Sequence, residues 1–179
     1  MENVMTLREA VEHNHRVAEQ TELAQAMIKG TLTEELYHQF VFNMSEIYAA
    51  IERKLPFLPA NVARSAKYAD DIAALGRGAG TIVLSTAQYI NYINQLTVPD
   101  VWAHTYVHYL GNMYGGQMLK KHMAWPASHL VFDDVKGGIA YIRANIADIS
   151  HAEANKSFEW TIKIYDELYR TFGQDGKAA

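Results

Sequence analysis

The chain has 179 residues, 49% of them hydrophobic, which suits one ordinary domain with a real buried core. Sixteen Lys and Arg stand against twenty Asp and Glu, a net charge of −4, and this balance excludes the basic footprint of a nucleic-acid partner. Cysteine is absent, so disulfides, thiolate metal sites and cysteine nucleophiles are excluded and a reducing compartment is favoured.

The first residues, MENVMTLREAVEHNH, carry neither a basic leader region nor a continuous apolar run, and nowhere do about 18 apolar residues run together. A cytoplasmic protein with no membrane partner is expected. Apolar periodicity predicts helices at 6–29, 33–54, 60–75, 86–96, 99–124, 134–147 and 151–171. Two capping boxes announce helix starts, Thr6 with Glu9 and Ser150 with Glu153, and Pro56, Pro59, Pro99 and Pro126 fall between helical patterns. GRGAGT after Leu75 reads as a tight loop, because no strand precedes it and its spacing fits no phosphate-binding fingerprint. The expectation is an all-α fold: a single-domain bundle of about seven helices over 1–179.

In the first helix, Leu7, Val11, His15 and Ala18 share a face at about 100° per residue, with His13 turned about 200° away from His15. An inward His is more often a hydrogen-bonded core residue than a ligand. Glu19, one turn after His15, can orient the imidazole as partners of metal-bound histidines do, or simply satisfy it as a polar pair. Arg8 lies two turns before His15 on that face, placed either to meet a carboxylate of something His15 binds or to be a solvated first-turn charge.

The fifth predicted helix contains HTYVHYLGNMYGGQMLKKH, where Gly111, Gly115 and Gly116 each cost about 1 kcal/mol relative to Ala. Gly111 and Gly115 are one turn apart, so a strip of the helix carries no side chains. Such a strip permits close approach to a flat object, a bend, or close helix packing. Taken with an inward His on another helix, it describes two walls of a narrow slot, the shape for a planar macrocycle ligated from one side. Haem is the obvious occupant.

These residues resemble the haem oxygenases. LREAVEHNHRVAEQT looks like the family's proximal segment, with His15 at the position of the axial ligand and Glu19 at that of its partner. HTYVHYLGNMYGGQMLKKH is similar to the distal-helix motif, FVFNMSEIYAAIE to the second helix and EANKSFEWTIKIYDEL to the last. The resemblance implies oxidative cleavage of haem, at once substrate and cofactor, to biliverdin, carbon monoxide and iron, with electrons from a ferredoxin or a reductase. It implies that His15 ligates the iron and Arg8 pairs a propionate. It further implies that Gly111 and Gly115 let the distal helix press on the haem face and that Gly116 provides close packing. YIRAN around Arg143 aligns with the family's basic segment in more than one register, which leaves Lys136 and Arg143 as candidates for the second propionate.

The chain departs from the family pattern at three positions. Asn112 stands where the family usually has aspartate, His108 where it often has arginine, and Tyr114 where it usually has a small residue. Asparagine can hold a water but cannot carry charge. Proton delivery is therefore expected to depend on water held by Asn112 with Tyr106, His108 or Tyr114; the bland alternative for His108 is a helix-surface histidine beside His104. A haem-binding relative that has lost turnover through Asn112 is a second reading. A third, from another class, is a non-haem di-iron oxidase using the pairs Glu12/His15 and Glu35/His38 with Glu46 and Glu52.

Overall fold

The computed structural model describes residues 5–173. In chain order the helices are α1 Leu7–Gln20, α2 Glu22–Lys29, α3 Glu34–Lys54, α4 Ser65–Ala74, α5 Leu84–Gln95, α6 Val98–Tyr114, α7 Gly116–Leu119, α8 Val135–Ala144 and α9 His151–Phe172. Two 3-10 turns, at Lys120–His122 and Ser128–Leu130, fill the stretch between α7 and α8. No strand occurs among the described residues, so the all-α expectation holds.

Two of the expected helices are interrupted. The first breaks at Thr21, whose hydroxyl donates to Ala18 O (2.8 Å) and accepts from Ala24 N–H (3.3 Å), ending α1 and capping α2. The long helix expected over 99–124 stops at Gly115, after which a four-residue turn and a 3-10 turn carry the chain onward. α2 ends on Gly30 at φ +65°, the left-handed cap that glycine adopts without strain.

The Thr6/Glu9 capping box is complete, with the Glu9 carboxylate accepting from Thr6 N–H at 2.7 Å and Thr6 Oγ1 accepting from Glu9 N–H at 3.3 Å. The Ser150/Glu153 box is only half formed. Ser150 accepts from Glu153 N–H, while the Glu153 carboxylate turns inward to His104 and Tyr92.

α3 is the central element, burying residues from Leu36 to Ile51 around most of its circumference and packing against α4, α5, α6 and α9. A second, smaller apolar cluster joins α1, α6 and α9 through Val11, Ala18, Ala103, Val107, Ala154 and Phe158. Asn155 of α9 fixes α1 beside it by accepting from Asn14 (2.8 Å) and donating to Ala10 O (3.0 Å).

Neither α4 nor α5 is capped by its own N-cap side chain. Carboxylates from other helices do the work. Glu52 of α3 accepts from the backbone N–H of Arg64 (2.6 Å) and Ser65 (2.9 Å), and Glu167 of α9 accepts from those of Leu84 (3.2 Å) and Ser85 (2.8 Å). Each negative charge sits at the positive end of a helix dipole. Burial works to raise the Glu167 carboxyl, but the hydrogen bonds from Ser85 and Leu84 outweigh it and hold the group below its ordinary value.

Glu167→Ala should therefore cost about 0.5–2 kcal/mol, the usual worth of a helix cap. Because the folded-state carboxyl is depressed, its contribution is full above the unfolded-state value and fades as the pH falls through the folded one. Urea unfolding at several pH values should show the wild-type advantage over Glu167→Ala at about pH 7 and its loss as the pH falls through the depressed folded-state value. A gap that stays constant across that window would mean that packing, not charge, is what Glu167 contributes.

Candidate functional site

α6 begins under a Thr97 cap with Pro99 in its first turn, and from Val101 to Leu110 it is buried on nearly every side. It then emerges. A Cβ built on Gly111 would meet no atom within 4 Å, and one on Gly115 would meet only Gly111 O, at 3.2 Å. Gly116 differs, because a Cβ there would lie 2.8 Å from Leu130 Cδ2. Close packing of protein on protein thus accounts for Gly116 alone, and the Gly111/Gly115 strip opens outward.

α1, joined to α6 through the smaller apolar cluster, carries His15. Its ring is 52% exposed, not inward as its helical face suggested, and stands edge-on to Phe158 of α9 with centroids 5.6 Å apart. The exposure arises because the apolar face of α1 is buried only at Val11 and Ala18, and His15 lies at the margin of that cluster. Glu19 is close, with Oε2 3.7 Å from His15 Nδ1, beyond hydrogen-bond range. The apolar cluster beside His15 includes Phe158, which the ring touches, together with Val107 of α6 and Val11 of α1.

Tyr106 is half-buried, and burial raises its phenol while the charges of Arg8 on α1 and Arg143 on α8 act to lower it. Arg143 Nη2 donates to Tyr114 Oη at 2.8 Å. Lys136 lies on the same face of α8 as Arg143, two turns earlier, and makes no ion pair or side-chain hydrogen bond among the described residues. Tyr114 is half-exposed and does not crowd inward.

The residues expected to hold water are committed differently. Asn112 Nδ2 donates to Tyr48 Oη (2.9 Å) and Tyr68 Oη (3.3 Å), and Tyr48 in turn donates to His108 O (2.9 Å). Burial pushes both phenols well up, so these tyrosines are neutral. Asn112 Oδ1 has no protein partner among the described residues. His108 is not a surface histidine at all. It is 7% exposed, its Nε2 is 2.9 Å from Tyr89 Oη, and burial, with His104 adding to it, pushes its imidazole down to about 3.

Tyr48, Tyr68, Tyr89, His104 and Glu153 were missed as functional candidates. Tyr48, His104 and Glu153 lay in stretches whose pattern drew attention, Glu153 only as half of a capping box, and nothing local marks Tyr68 or Tyr89 as their partners. The di-iron donors are dispersed. Glu12 pairs with Arg16, Glu35 with Arg77 and Gln39, His38 Nε2 with Gly78 O, and Glu52 caps α4; no group of three or more candidate ligands forms among the described residues.

A family model described as Heme oxygenase matches residues 2–158. The chain belongs to the haem oxygenase family. Membership places it among the enzymes that degrade haem. Among curated relatives, it is 29% identical to heme oxygenase 1 of Pongo abelii over 96% of this chain and 73% of that one, and 28% identical to heme oxygenase 1 of Synechocystis over 84% and 67%. The match to heme oxygenase 1 of Bos taurus, at 29%, spans 64% of this chain and slightly under half, 46%, of the bovine protein.

The fold has the same kinship. It is similar to heme oxygenase-1 of Synechocystis in complex with heme (TM-score 0.78, 23% identity, 92% of this chain and 91% of that one) and to heme oxygenase of Leptospira interrogans (TM-score 0.80, 22% identity, 90% and 97%).

The glycines separate into two roles that stability measurements distinguish. Gly111→Ala should raise the stability of the haem-free protein by about 0.5–1 kcal/mol through helix propensity alone. Gly116→Ala should gain less or lose, since Leu130 must move to admit the methyl group. Equal gains at both positions in chemical denaturation would contradict the packing of Gly116.

Proposed function

We propose that the chain, as one haem oxygenase-like domain over 1–179, binds one haem between α1 and the glycine strip of α6. It cleaves the macrocycle to biliverdin, carbon monoxide and iron, using dioxygen and electrons from a ferredoxin or a reductase. The observation that carries the reading is the contrast between open Gly111 and Gly115 and packed Gly116 on one short stretch. The residues present fit the group, since a side-chain-free strip, an apolar wall of Val107 and Phe158 and an accessible imidazole suit a flat, largely apolar disc. No helix of the described residues is long and apolar enough to cross a membrane, and with no cysteine in the chain we take the cytoplasm as its place of work.

His15 would ligate the haem iron, with Glu19 near enough to bias its ring once a ligand orders both side chains. Arg8 and Arg143, whose charges both act on Tyr106, would hold the propionates, and Lys136, two turns before Arg143 on α8, would be a further cation for them. Bound haem supplies the iron at which dioxygen is reduced and the carbon that is oxidised. Gly111 and Gly115 would let the backbone of α6 approach the macrocycle closely and keep bulk water from it. Asn112 offers Oδ1 as an acceptor for a water there, its N–H groups being held by Tyr48 and Tyr68.

One observation favours the reading in which haem is bound but not turned over: the amide of Asn112 is committed to two neutral tyrosines and cannot change charge. Haem turnover with an electron donor, followed in the visible spectrum, separates the two readings through the appearance of biliverdin.

His15→Ala should leave the fold intact and abolish the histidine-ligated haem spectrum, with added imidazole restoring it. Gly111→Val should weaken haem binding by far more than helix propensity can account for, since Val is the better helix former by a few tenths of a kcal/mol. Retention of the parent spectrum in His15→Ala, with its loss in His13→Ala, would move the ligand to the other face of α1.

A further inference from the structure

A continuous chain of hydrogen bonds runs from the surface of α9 into the buried face of α6. Lys156, 51% exposed, donates to Tyr92 Oη (3.2 Å) and to Glu153 Oε2 (3.4 Å). Tyr92 donates to Glu153 Oε1, and His104 Nε2 stands 3.0 Å from the same oxygen. Beyond His104, Tyr89 Oη is 2.6 Å from His104 Nδ1, 2.9 Å from His108 Nε2 and 3.1 Å from Ser157 Oγ. His104, Tyr89 and Ser157 are wholly buried.

The direction of every bond in this chain follows from its outer end. Burial alone would raise the Glu153 carboxyl, but Tyr92, His104 and Lys156 hold it below its ordinary value, so it is an anion and can only accept. His104 must therefore present Nε2–H to it. Burial keeps the His104 ring neutral against the pull of Glu153 and Asp100, so its Nδ1 is bare and accepts the single phenolic proton of Tyr89. With that proton spent, the 2.9 Å contact to His108 requires that His108 carry its own proton on Nε2. A neutral imidazole has only one, which leaves His108 Nδ1 bare.

We propose that Glu153 is a positioning residue for the haem reaction: acting through His104 and Tyr89, it holds His108 as the Nε2–H tautomer and leaves Nδ1 as a proton acceptor. For its consequence, the proposal rests on the haem reading above. His108 lies on the face of α6 that carries Gly111 and Gly115, one turn before Asn112, whose free Oδ1 is also an acceptor. A water donating one O–H to Nδ1 keeps its second O–H for a ligand beside the glycine strip. The arginine that often stands at this position in the family has five donors and no acceptor, so it cannot orient a water in this way.

The test is nitrogen-15 NMR of labelled histidines in the full chain, without and with haem. His104 and His108 should both appear as neutral Nε2–H tautomers from about pH 8 down to about pH 5, within which an unperturbed histidine would titrate. Glu153→Leu removes the acceptor and should bring up the second tautomer of His108. Glu153→Gln, whose amide oxygen still accepts, should keep the parent pattern. Tyr89→Phe cuts the chain after His104 and should release His108 alone, which guards against a fold defect in the leucine variant.

In the haem-loaded protein, Glu153→Leu should slow turnover about tenfold or more with haem affinity unchanged, the usual cost of losing an orienting partner. His108 found as Nδ1–H or as imidazolium, or unaltered in both Glu153→Leu and Tyr89→Phe, would overturn the proposal, as would unchanged turnover in Glu153→Leu. A wild-type protein with the stated tautomers but no haem turnover would strike at the haem reading instead.

Discussion

Two histidines buried on one face of α6 must be hydrogen-bonded, and that requirement fixes how the helix is rotated in the bundle. A polar side chain left unpaired in the interior costs about 1–3 kcal/mol, so His104 and His108 must point at Tyr89, Ser157 and Glu153 and nowhere else. Gly111 stands seven residues after His104 and Gly115 seven after His108, two turns further along the same face. Locking the histidines against α5 and α9 therefore sets where the glycines look once α6 runs past its neighbours. The bare strip is aimed by polar chemistry two turns away.

Carboxylates hold the rest of the frame in the same manner. Glu52 and Glu167 cap α4 and α5 from other helices, and Asp71 of α4 accepts from the backbone of Ser128 and His129 and from His129 Nδ1 (2.6 Å). The His129 ring, neutral through burial, stacks on Tyr68 at 4.2 Å. Tyr68 in turn accepts from Asn112, so the loop after α7 is tied to the end of α6 through one aromatic pair. Leu130, next along that loop, is the side chain that fills the space over Gly116. Packing of α7 and the choice of glycine at 116 are thus one constraint seen from two sides.

What could be read from the sequence divides along the same line between local and distant chemistry. Helices begin close to where expected wherever the cap is local, as at Thr6, Thr33, Thr97 and Ser150. α4 was expected from 60 and starts at Ser65, and α5 was expected from 86 and starts at Leu84; in both, the capping carboxylate lies far away in sequence. The glycine strip and the all-helical class were legible because periodicity and backbone cost are local properties. The exposure of His15 was not, since the 3.6 period gives a face but not how much of it a neighbour covers. Glu153 was read as half of a capping box, a role its spacing allowed and its attraction to His104 overrode.

The resemblance to the family's motif sets an arginine against His108 and an aspartate against Asn112, and that diversion bears on both positions at once. An arginine at 108 would bring a permanent charge into a site that here holds two neutral rings, and burying it beside His104 would demand a carboxylate in direct contact. The chain instead keeps one carboxylate at the outer end of the network, where Lys156 and solvent share its desolvation, and transmits its influence inward through neutral groups. A neutral histidine then tolerates a neutral partner one turn on. An aspartate at 112 would face the phenols of Tyr48 and Tyr68 with no cation to balance it, whereas asparagine donates to both. On that resemblance, histidine at 108 and asparagine at 112 act as one change, since without a cation on α6 an anion beside it has no partner.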